Sequence, residues 1–181
     1  MDRYIFLDID GVLNGDPEYS MLRKALRQEG LIPYKGQILD LPPEHRRKEY
    51  RLALISVEMM DRLNRLIAAT GAKIILSTTW RNPDECWGFD AGDLLREAGL
   101  RGEIIGKTPR KMSLDSRGAE IALKIQEMGL DQNQYIILDD DFYTRDARKI
   151  TGHKNRWIRT SEAEGLTERH LQQALELMGH A

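Results

Sequence analysis

Short, unbroken apolar runs alternate with segments of helical periodicity along most of this chain, and this alternation restricts the fold more than any other feature of the sequence. Unbroken apolar runs of this length are typical of strands that are covered on both faces. Because helices separate the strands, crossover connections and a mainly parallel sheet are favoured. The predicted strands are YIFLD (4–8), KIILS (73–77), EIIG (103–106), YIILD (135–139) and RWIRT (156–160).

Helical periodicity appears in four segments between or after these strands. They cover residues 56–70, 92–98, 116–128 and 167–178. Each has apolar residues three or four positions apart, and a glycine follows each of them at or near its end. We therefore predict one domain over residues 1–181, a three-layer α/β structure with a doubly wound, Rossmann-type, mainly parallel sheet.

Residues 14–55 do not follow this alternation. They contain four prolines, a short helical candidate near 18–29 and the basic run HRRK at 45–48. We interpret this stretch as a small cap or flap inserted after the first strand, with no clear linker that would make it a separate domain. A basic run of this kind is more typical of a solvated helix face than of a binding site.

Composition excludes several classes of protein. The formal net charge of −2 provides no overall field that would favour DNA or a membrane surface. No apolar stretch is long enough to cross a bilayer, so no membrane partner is expected. The single cysteine, Cys86, cannot form an internal disulfide, which is consistent with a reducing cytoplasm. We interpret Cys86 and Trp87 as packing residues, and the sequence predicts no particular oligomeric state.

Polar residues stand at the ends of three predicted strands, namely Asp8, Ser77 and Asp139. In an open parallel sheet the carboxyl ends of neighbouring strands meet at one crevice, where ligands bind. The carboxylates expected there are Asp8, Asp10, Asp139, Asp140 and Asp141. Carboxylates packed together raise one another's pKa unless a cation is present, and oxygen ligands without histidine or cysteine suit magnesium.

Groups that could bind a phosphate accompany these acids. Ser77, Thr78 and Thr79 offer hydroxyls and backbone N–H donors, and Arg117 begins a predicted helix, whose N-terminus favours anions. A lone DxD is usually a turn, and a lone arginine is usually solvated. Asp8 and Asp10, however, follow an apolar strand directly and precede Gly-Val-Leu. The crevice therefore reads as a site for metal-assisted phosphoryl transfer.

These motifs resemble those of the haloacid dehalogenase (HAD) superfamily of aspartate-nucleophile phosphatases. FLDIDGVLN is similar to its first motif, LSTTWR to its second and ILDDD to its acidic fourth motif. A narrower resemblance, which adds GKTPR, SRGAEI and RTSEAEGLTERH, is to the small HAD domain of "Swiss Army Knife" RNA-repair proteins. The resemblance extends over nearly the whole chain and implies a HAD-like fold.

The resemblance implies a role for each matching residue. Asp8 would be the nucleophile that forms an aspartyl-phosphate, and Asp10 the general acid and base. Mg²⁺ would be held by Asp8, the backbone carbonyl of Asp10, and Asp139 or Asp140. Ser77 would bind the transferring phosphoryl group, with Thr78 as the second candidate. The N–H of Gly11 would approach the phosphate.

The third motif is less well matched, because the superfamily places a lysine or arginine there to neutralise phosphate and nucleophile. Arg117 fits best, since it opens the helix that leads into the LDDD strand. Lys107 and Lys111 are close enough in sequence to compete with it. Arg81, beside the second motif, would add a further phosphate contact.

The resemblance implies a Mg²⁺-dependent phosphomonoesterase. A small cap leaves the crevice open, which suits terminal phosphates of nucleic acids or nucleotides as substrates. Basic residues of the insertion could then follow a nucleic-acid backbone, namely Arg46, Arg47, Lys48 and Arg51. The alternative is a phosphatase acting on a sugar or another metabolite. A metal-dependent nuclease and a receiver-like signalling domain fit less well, because neither explains both Asp10 and the serine-ended second strand.

Overall fold

The computed structural model of the protein describes residues 2–82, 84, 86–109, 116–140 and 154–179. Its centre is a five-stranded sheet in the order β3-β2-β1-β4-β5, and all neighbouring strands are parallel. The strands are β1 (Tyr4–Leu7), β2 (Lys73–Leu76), β3 (Ile104–Lys107), β4 (Tyr135–Asp139) and β5 (Trp157–Arg159). The predicted parallel α/β sheet is thus confirmed, and no strand end differs from its prediction by more than one residue.

The sheet is buried on both faces, which is why its strands read as unbroken apolar runs. Successive side chains of β1 alternate between two core clusters: Ile5 and Leu7 lie in the larger one, and Phe6 lies in the smaller one. The register continues this alternation into neighbouring strands, since Phe6 pairs with Ile75 on β2 and Ile137 on β4. Both of these partners share the smaller cluster with Phe6.

Helices cover the two faces and complete three layers. The described residues form α1 (Asp16–Gln28), α2 (Lys48–Leu52), α3 (Val57–Thr70), α4 (Ala91–Glu97), α5 (Arg117–Met128) and α6 (Glu168–Leu177). Buried residues of α1, α3, α4 and α6 belong to the larger cluster, whereas α5 packs on the opposite face. None of the helices in the described part of the chain combines the length and the apolar character that crossing a bilayer requires.

Local sequence signals account for most of the helix ends. Ser116 and Thr167 stand at N-cap positions, and their hydroxyls accept hydrogen bonds from the N–H groups of Ala119 and His170. Gly71 ends α3 in the left-handed conformation at a φ of 65°. Because Ser116 is the N-cap of α5, Arg117 is the first residue of this helix.

The insertion at 14–55 packs against the sheet and contains α1, two short 3-10 turns and α2. Its residues Leu22, Leu26, Ile38 and Leu41 are buried in the same core cluster as Ile5 of β1. The helix predicted near 18–29 is α1, while α2 begins inside the basic run, at Lys48. This packing supports one domain over the whole chain, which stays a prediction from the sequence.

Candidate active site

The predicted polar strand ends meet at one edge of the sheet. β1 lies between β2 and β4, so the chain winds first to one side of it and then to the other. The N–H of Asp8 donates to the carbonyl of Leu138 at 3.0 Å, and the N–H of Ser77 donates to the carbonyl of Leu7 at 2.8 Å. Asp8 and Ser77 therefore directly follow β1 and β2, and Asp139 is the last residue of β4, all at the topological switch point where α/β proteins bind ligands.

Three carboxylates at this edge could hold a cation. Asp8, Asp139 and Asp140 each offer one oxygen, and these oxygens lie within 4.8 Å of one another. Asp8 and Asp139 are buried. An all-oxygen donor set suits a hard ion such as Mg²⁺ and is poorly suited to zinc. Both Asp139 and Asp140 belong to this cluster, and Asp141 lies outside the described residues.

Added positive charge would stabilise the ionised carboxylates of this cluster. Burial and, second, the neighbouring Asp139 together raise the pKa of Asp8 to about 8, although Arg117 acts in the opposite direction. One oxygen of Asp8 accepts the N–H of Ile9 at 2.7 Å. Arg117 alone thus does not keep the carboxylate of Asp8 ionised at neutral pH, whereas a divalent cation would favour its charged form.

Arg117, the leading candidate for the third motif, lies against two of the clustered acids. It is the first residue of α5, and its guanidinium contacts Asp8 and lies 2.9 Å from an oxygen of Asp139. Burial lowers the pKa of Arg117, but the two carboxylates outweigh it and raise that pKa overall. Of the competing candidates, Lys107 ends β3 with an exposed side chain, and Lys111 lies outside the described residues.

Ser77 and Thr78, the two predicted phosphate-binding hydroxyls, differ in their hydrogen bonds. The side chain of Ser77 is buried, and its oxygen has no hydrogen-bond partner among the residues that the structure describes. A buried hydroxyl without a partner is unfavourable unless a ligand satisfies it. The hydroxyl of Thr78 instead accepts the N–H of Trp80 at 3.3 Å, which caps the 3-10 turn Thr79–Arg81.

Gly11 allows the loop after β1 to approach Asp140. It has a φ of 67°, and a Cβ on it would lie 2.6 Å from the Cβ of Asp140. Its N–H, however, donates to the side-chain oxygen of Asn14 at 3.0 Å. The structure therefore differs from the expectation that this N–H is available to a phosphate, because the loop uses it internally.

Asp10 has a separate set of partners from those of Asp8. Its carboxylate accepts hydrogen bonds from the phenol of Tyr19 at 2.7 Å and from the amide of Asn14 at 3.0 Å. The indole N–H of Trp80 lies 2.9 and 3.0 Å from its two oxygens. Three side chains from three segments thus orient this carboxylate, and its backbone carbonyl as a metal ligand stays a prediction.

Arg81, predicted as a further phosphate contact, has protein partners in the structure. Its guanidinium contacts Glu120 and donates to the carbonyl of Thr78 at 2.6 Å. Both side chains of the ion pair are about nine-tenths buried. The pair joins the turn after β2 to the first turn of α5, the helix that also carries Arg117.

The structure adds Asn14, Tyr19, Trp80 and Glu120 to the residues that sequence reasoning identified. Asn14 and Trp80 stand within the quoted motifs FLDIDGVLN and LSTTWR, so their positions were visible although their roles were not. Tyr19 carries no comparable signal. It lies at the start of an amphipathic helix, and only the fold brings its phenol to Asp10.

Most of the predicted basic residues of the insertion are engaged elsewhere. Arg51 is buried between the indole rings of Trp80 and Trp87, at 4.7 and 4.3 Å from their centroids. Arg46 donates to the carbonyl of Leu41 at 3.0 Å, and Lys48 pairs with Glu97. Arg47 is exposed. Burial raises the pKa of the Cys86 thiol to about 11, which disfavours the reactive thiolate form.

Comparisons with solved structures find low sequence identity. A haloacid dehalogenase-like hydrolase of Streptococcus pneumoniae is 14% identical, with 96% of this chain and 90% of that chain covered and a TM-score of 0.49. A predicted HAD-like family hydrolase of Porphyromonas gingivalis is 15% identical, with coverages of 91% and 93% and a TM-score of 0.45. A hypothetical protein of Xanthomonas campestris is 16% identical, with coverages of 99% and 85% and a TM-score of 0.43.

Family membership is decided by the sequence model rather than by these structures. A search of curated proteins finds no match. The family model for the HAD domain in Swiss Army Knife RNA repair proteins matches residues 4–171, which is nearly the whole chain. The chain therefore belongs to the HAD family of hydrolases and, within it, to the HAD domains of Swiss Army Knife RNA repair proteins.

Proposed function

We propose that the protein is a Mg²⁺-dependent phosphomonoesterase that forms an aspartyl-phosphate on Asp8. The observation that carries this proposal is the contact of Arg117 with both Asp8 and Asp139 at the switch point. A cation between two acids can neutralise an incoming phosphate and yet leave one carboxylate beside it as a nucleophile. The buried hydroxyl of Ser77 supports the same assignment, because it has no hydrogen-bond partner among the residues that the structure describes.

In the first step, an oxygen of Asp8 attacks the phosphorus of the monoester, and the bond from phosphorus to the leaving oxygen breaks. Asp10 donates a proton to that leaving oxygen, so that an alcohol departs. Arg117 and the Ser77 hydroxyl bind the phosphoryl oxygens while charge redistributes on them. The products of this step are the free alcohol and phosphorylated Asp8.

In the second step, Asp10 acts as a base and removes a proton from a water molecule. The resulting hydroxide attacks phosphorus, the bond from phosphorus to the Asp8 oxygen breaks, and inorganic phosphate leaves. The hydrogen bonds from Tyr19, Asn14 and Trp80 keep the Asp10 carboxylate in one orientation through both steps. Holding a proton donor in this way reduces the reorganisation needed for transfer.

The acidic cluster fits the metal that the family implies. Asp8, Asp139 and Asp140 would hold Mg²⁺, which supplies positive charge to the phosphoryl oxygens and keeps the cluster ionised. The fit rests on the all-oxygen donor set and on the raised pKa of Asp8. Arg117 carries part of the same charge balance, because it contacts two of these three acids.

The proposed substrates are terminal phosphates of nucleic acids or nucleotides. The family description, which refers to RNA repair proteins, supports this class over a sugar phosphate. The engaged side chains of Arg46, Lys48 and Arg51 argue against a long backbone-binding track, so recognition should be confined to the terminal nucleotide. A reducing cytoplasm is the expected compartment, since Cys86 is free and buried.

The test is phosphate release from a 3′-phosphorylated oligonucleotide, a mononucleotide and a sugar phosphate, each with Mg²⁺ and again with EDTA. We expect turnover of a nucleotide-type substrate that EDTA abolishes. Undiminished turnover in EDTA would refute the metal dependence, and a large preference for the sugar phosphate would refute the proposed substrate class. No phosphate release from any of the three would refute the phosphomonoesterase itself.

A further inference from the structure

We propose that a cavity beside Asp10 binds the nucleoside ring of the leaving group and thereby selects the substrate. The inference rests on the proposed function, because it concerns what is attached to the leaving oxygen. The cavity has a volume of about 180 Å³. Its walls include Asp10, Tyr19, Ile38, Leu39, Arg51 and Trp80.

The position of the cavity relates it to the leaving group. Asp10, which would protonate the leaving oxygen, forms part of its wall. Tyr19 and Trp80 also line it, and both donate hydrogen bonds to the same carboxylate. The group bonded to the leaving oxygen therefore extends into a space whose walls also orient the acid.

The size of the cavity limits what can enter. A cavity of roughly 150 Å³ lined by apolar side chains holds a benzene molecule, while drug-sized ligands occupy pockets of about 300 to 1,000 Å³. At about 180 Å³, this cavity suits one ring-sized group. A chain of several nucleotides would have to continue outside it.

The chemistry of the walls favours a ring with apolar faces and polar edges. Ile38, Leu39 and Trp80 provide apolar contact, whereas Gln37 and Thr79 are exposed and place an amide and a hydroxyl among the lining groups. The ring of a nucleoside matches this combination. A small acyclic alcohol such as glycerol would leave most of the apolar wall uncovered.

A neighbouring cavity of about 280 Å³ is a weaker candidate. It shares Asp10 and Tyr19 with the first, but its lining also includes Asp16 and Glu162 together with Arg23. Two additional carboxylates would repel a substrate that carries phosphate charge. The cavity against Trp80 lacks these acids in its lining and has Arg51 instead.

Leu39 offers a way to test the cavity without disturbing the fold. Its side chain is 55% exposed, in contrast to its buried neighbour Ile38, so the core does not depend on it. A tryptophan at this position would occupy part of the cavity. Val57 provides a matched control, because it is 83% exposed and does not line the cavity.

The experiment compares kcat/KM for a nucleoside monophosphate, for an oligonucleotide phosphorylated on the same terminal nucleoside, and for glycerol phosphate. In the wild-type protein we expect a preference of about tenfold or more for the ring-bearing substrates, which is the discrimination typical of a pocket contact. Leu39→Trp should reduce this ratio towards one, and Val57→Trp should keep the wild-type ratio.

The two nucleoside-bearing substrates show whether the ring belongs to a free nucleotide or to a nucleic-acid end. Faster turnover of the oligonucleotide identifies a nucleic-acid end, and faster turnover of the monophosphate identifies a free nucleotide; both outcomes support the cavity. Equal turnover of glycerol phosphate by an active enzyme, or a ratio that Leu39→Trp leaves unchanged, overturns the inference while the phosphomonoesterase survives. Inactivity towards all three substrates instead removes the proposed function on which it rests.

Discussion

Asp8 and Asp10 are separated by a single residue, yet their carboxylates have opposite surroundings. Asp8 is buried beside Asp139, and Arg117 balances this like charge. Asp10 is surrounded by neutral donors from Tyr19 and other side chains. Under the proposed function, this contrast would let one short motif provide a nucleophile and a proton donor, because the environment rather than the residue type decides the role.

The largest effect should come from removing the nucleophile. We expect Asp8→Asn to lower phosphate release by at least about a thousandfold, since no other carboxylate can take its place in the attack. The fold should persist, because an amide in this buried site costs less than a charge next to Asp139. Phosphate release measures the expected loss of activity, and thermal unfolding measures whether the fold persists. Turnover at the native rate by this variant would refute the proposed mechanism.

Removing the cation between the two acids should have the next largest effect. Arg117→Ala is expected to slow turnover by about a hundredfold and to lower the free energy of unfolding by about 3 kcal/mol, because it leaves buried carboxylates uncompensated. Steady-state kinetics measure the loss of turnover, and denaturant unfolding measures the loss of stability. Lys107→Ala is the matched control and should change neither, so a larger loss in that variant would reverse the assignment.

Trp80→Phe tests the surroundings of Asp10, because it keeps an aromatic ring but removes the indole N–H that donates to the Asp10 carboxylate. We expect about a tenfold loss with an alkyl phosphate, whose leaving group needs a proton, and a smaller loss with p-nitrophenyl phosphate. Trp87→Phe is the control, as Trp87 packs on the other side of Arg51. Equal losses on both substrates would show that Trp80 is merely structural.

The last effect concerns stability rather than turnover, namely its pH dependence without Mg²⁺. Since the pKa of Asp8 is raised to about 8, the folded state binds a proton that the unfolded state releases near pH 4. Wild-type stability should therefore fall, relative to Asp8→Asn, as pH rises from about 4 to 8. Added Mg²⁺ should remove this trend, because it favours the ionised carboxylate.

The comparison with Asp8→Asn also separates Asp8 from other titrating groups. Burial lowers the pKa of His170, so that residue makes stability fall as pH decreases below its unfolded value, in the opposite direction. Its contribution is common to both proteins and cancels in the difference. A wild-type minus variant difference that does not change with pH would contradict the raised pKa of Asp8.

The alternation of apolar runs and helical segments was enough to predict the parallel sheet and the convergence of Asp8, Ser77 and Asp139. Both inferences depend on periodicity and on the geometry of parallel strands, which are local or general properties. Arg81 shows where this reasoning stops. Its place beside the second motif suggested a phosphate contact, but Glu120 on a distant helix takes its guanidinium.

The sequence by itself therefore determined the class of fold, the edge of the sheet that carries the acids and the residue types gathered there. Only the tertiary structure decided the partners of each acid. Trp80 reaches Asp10 across 70 residues of sequence, and Arg117 reaches Asp8 across 109. The physical reason is that a side chain's hydrogen bonds and burial depend on how helices pack against the sheet, and no local pattern encodes that packing.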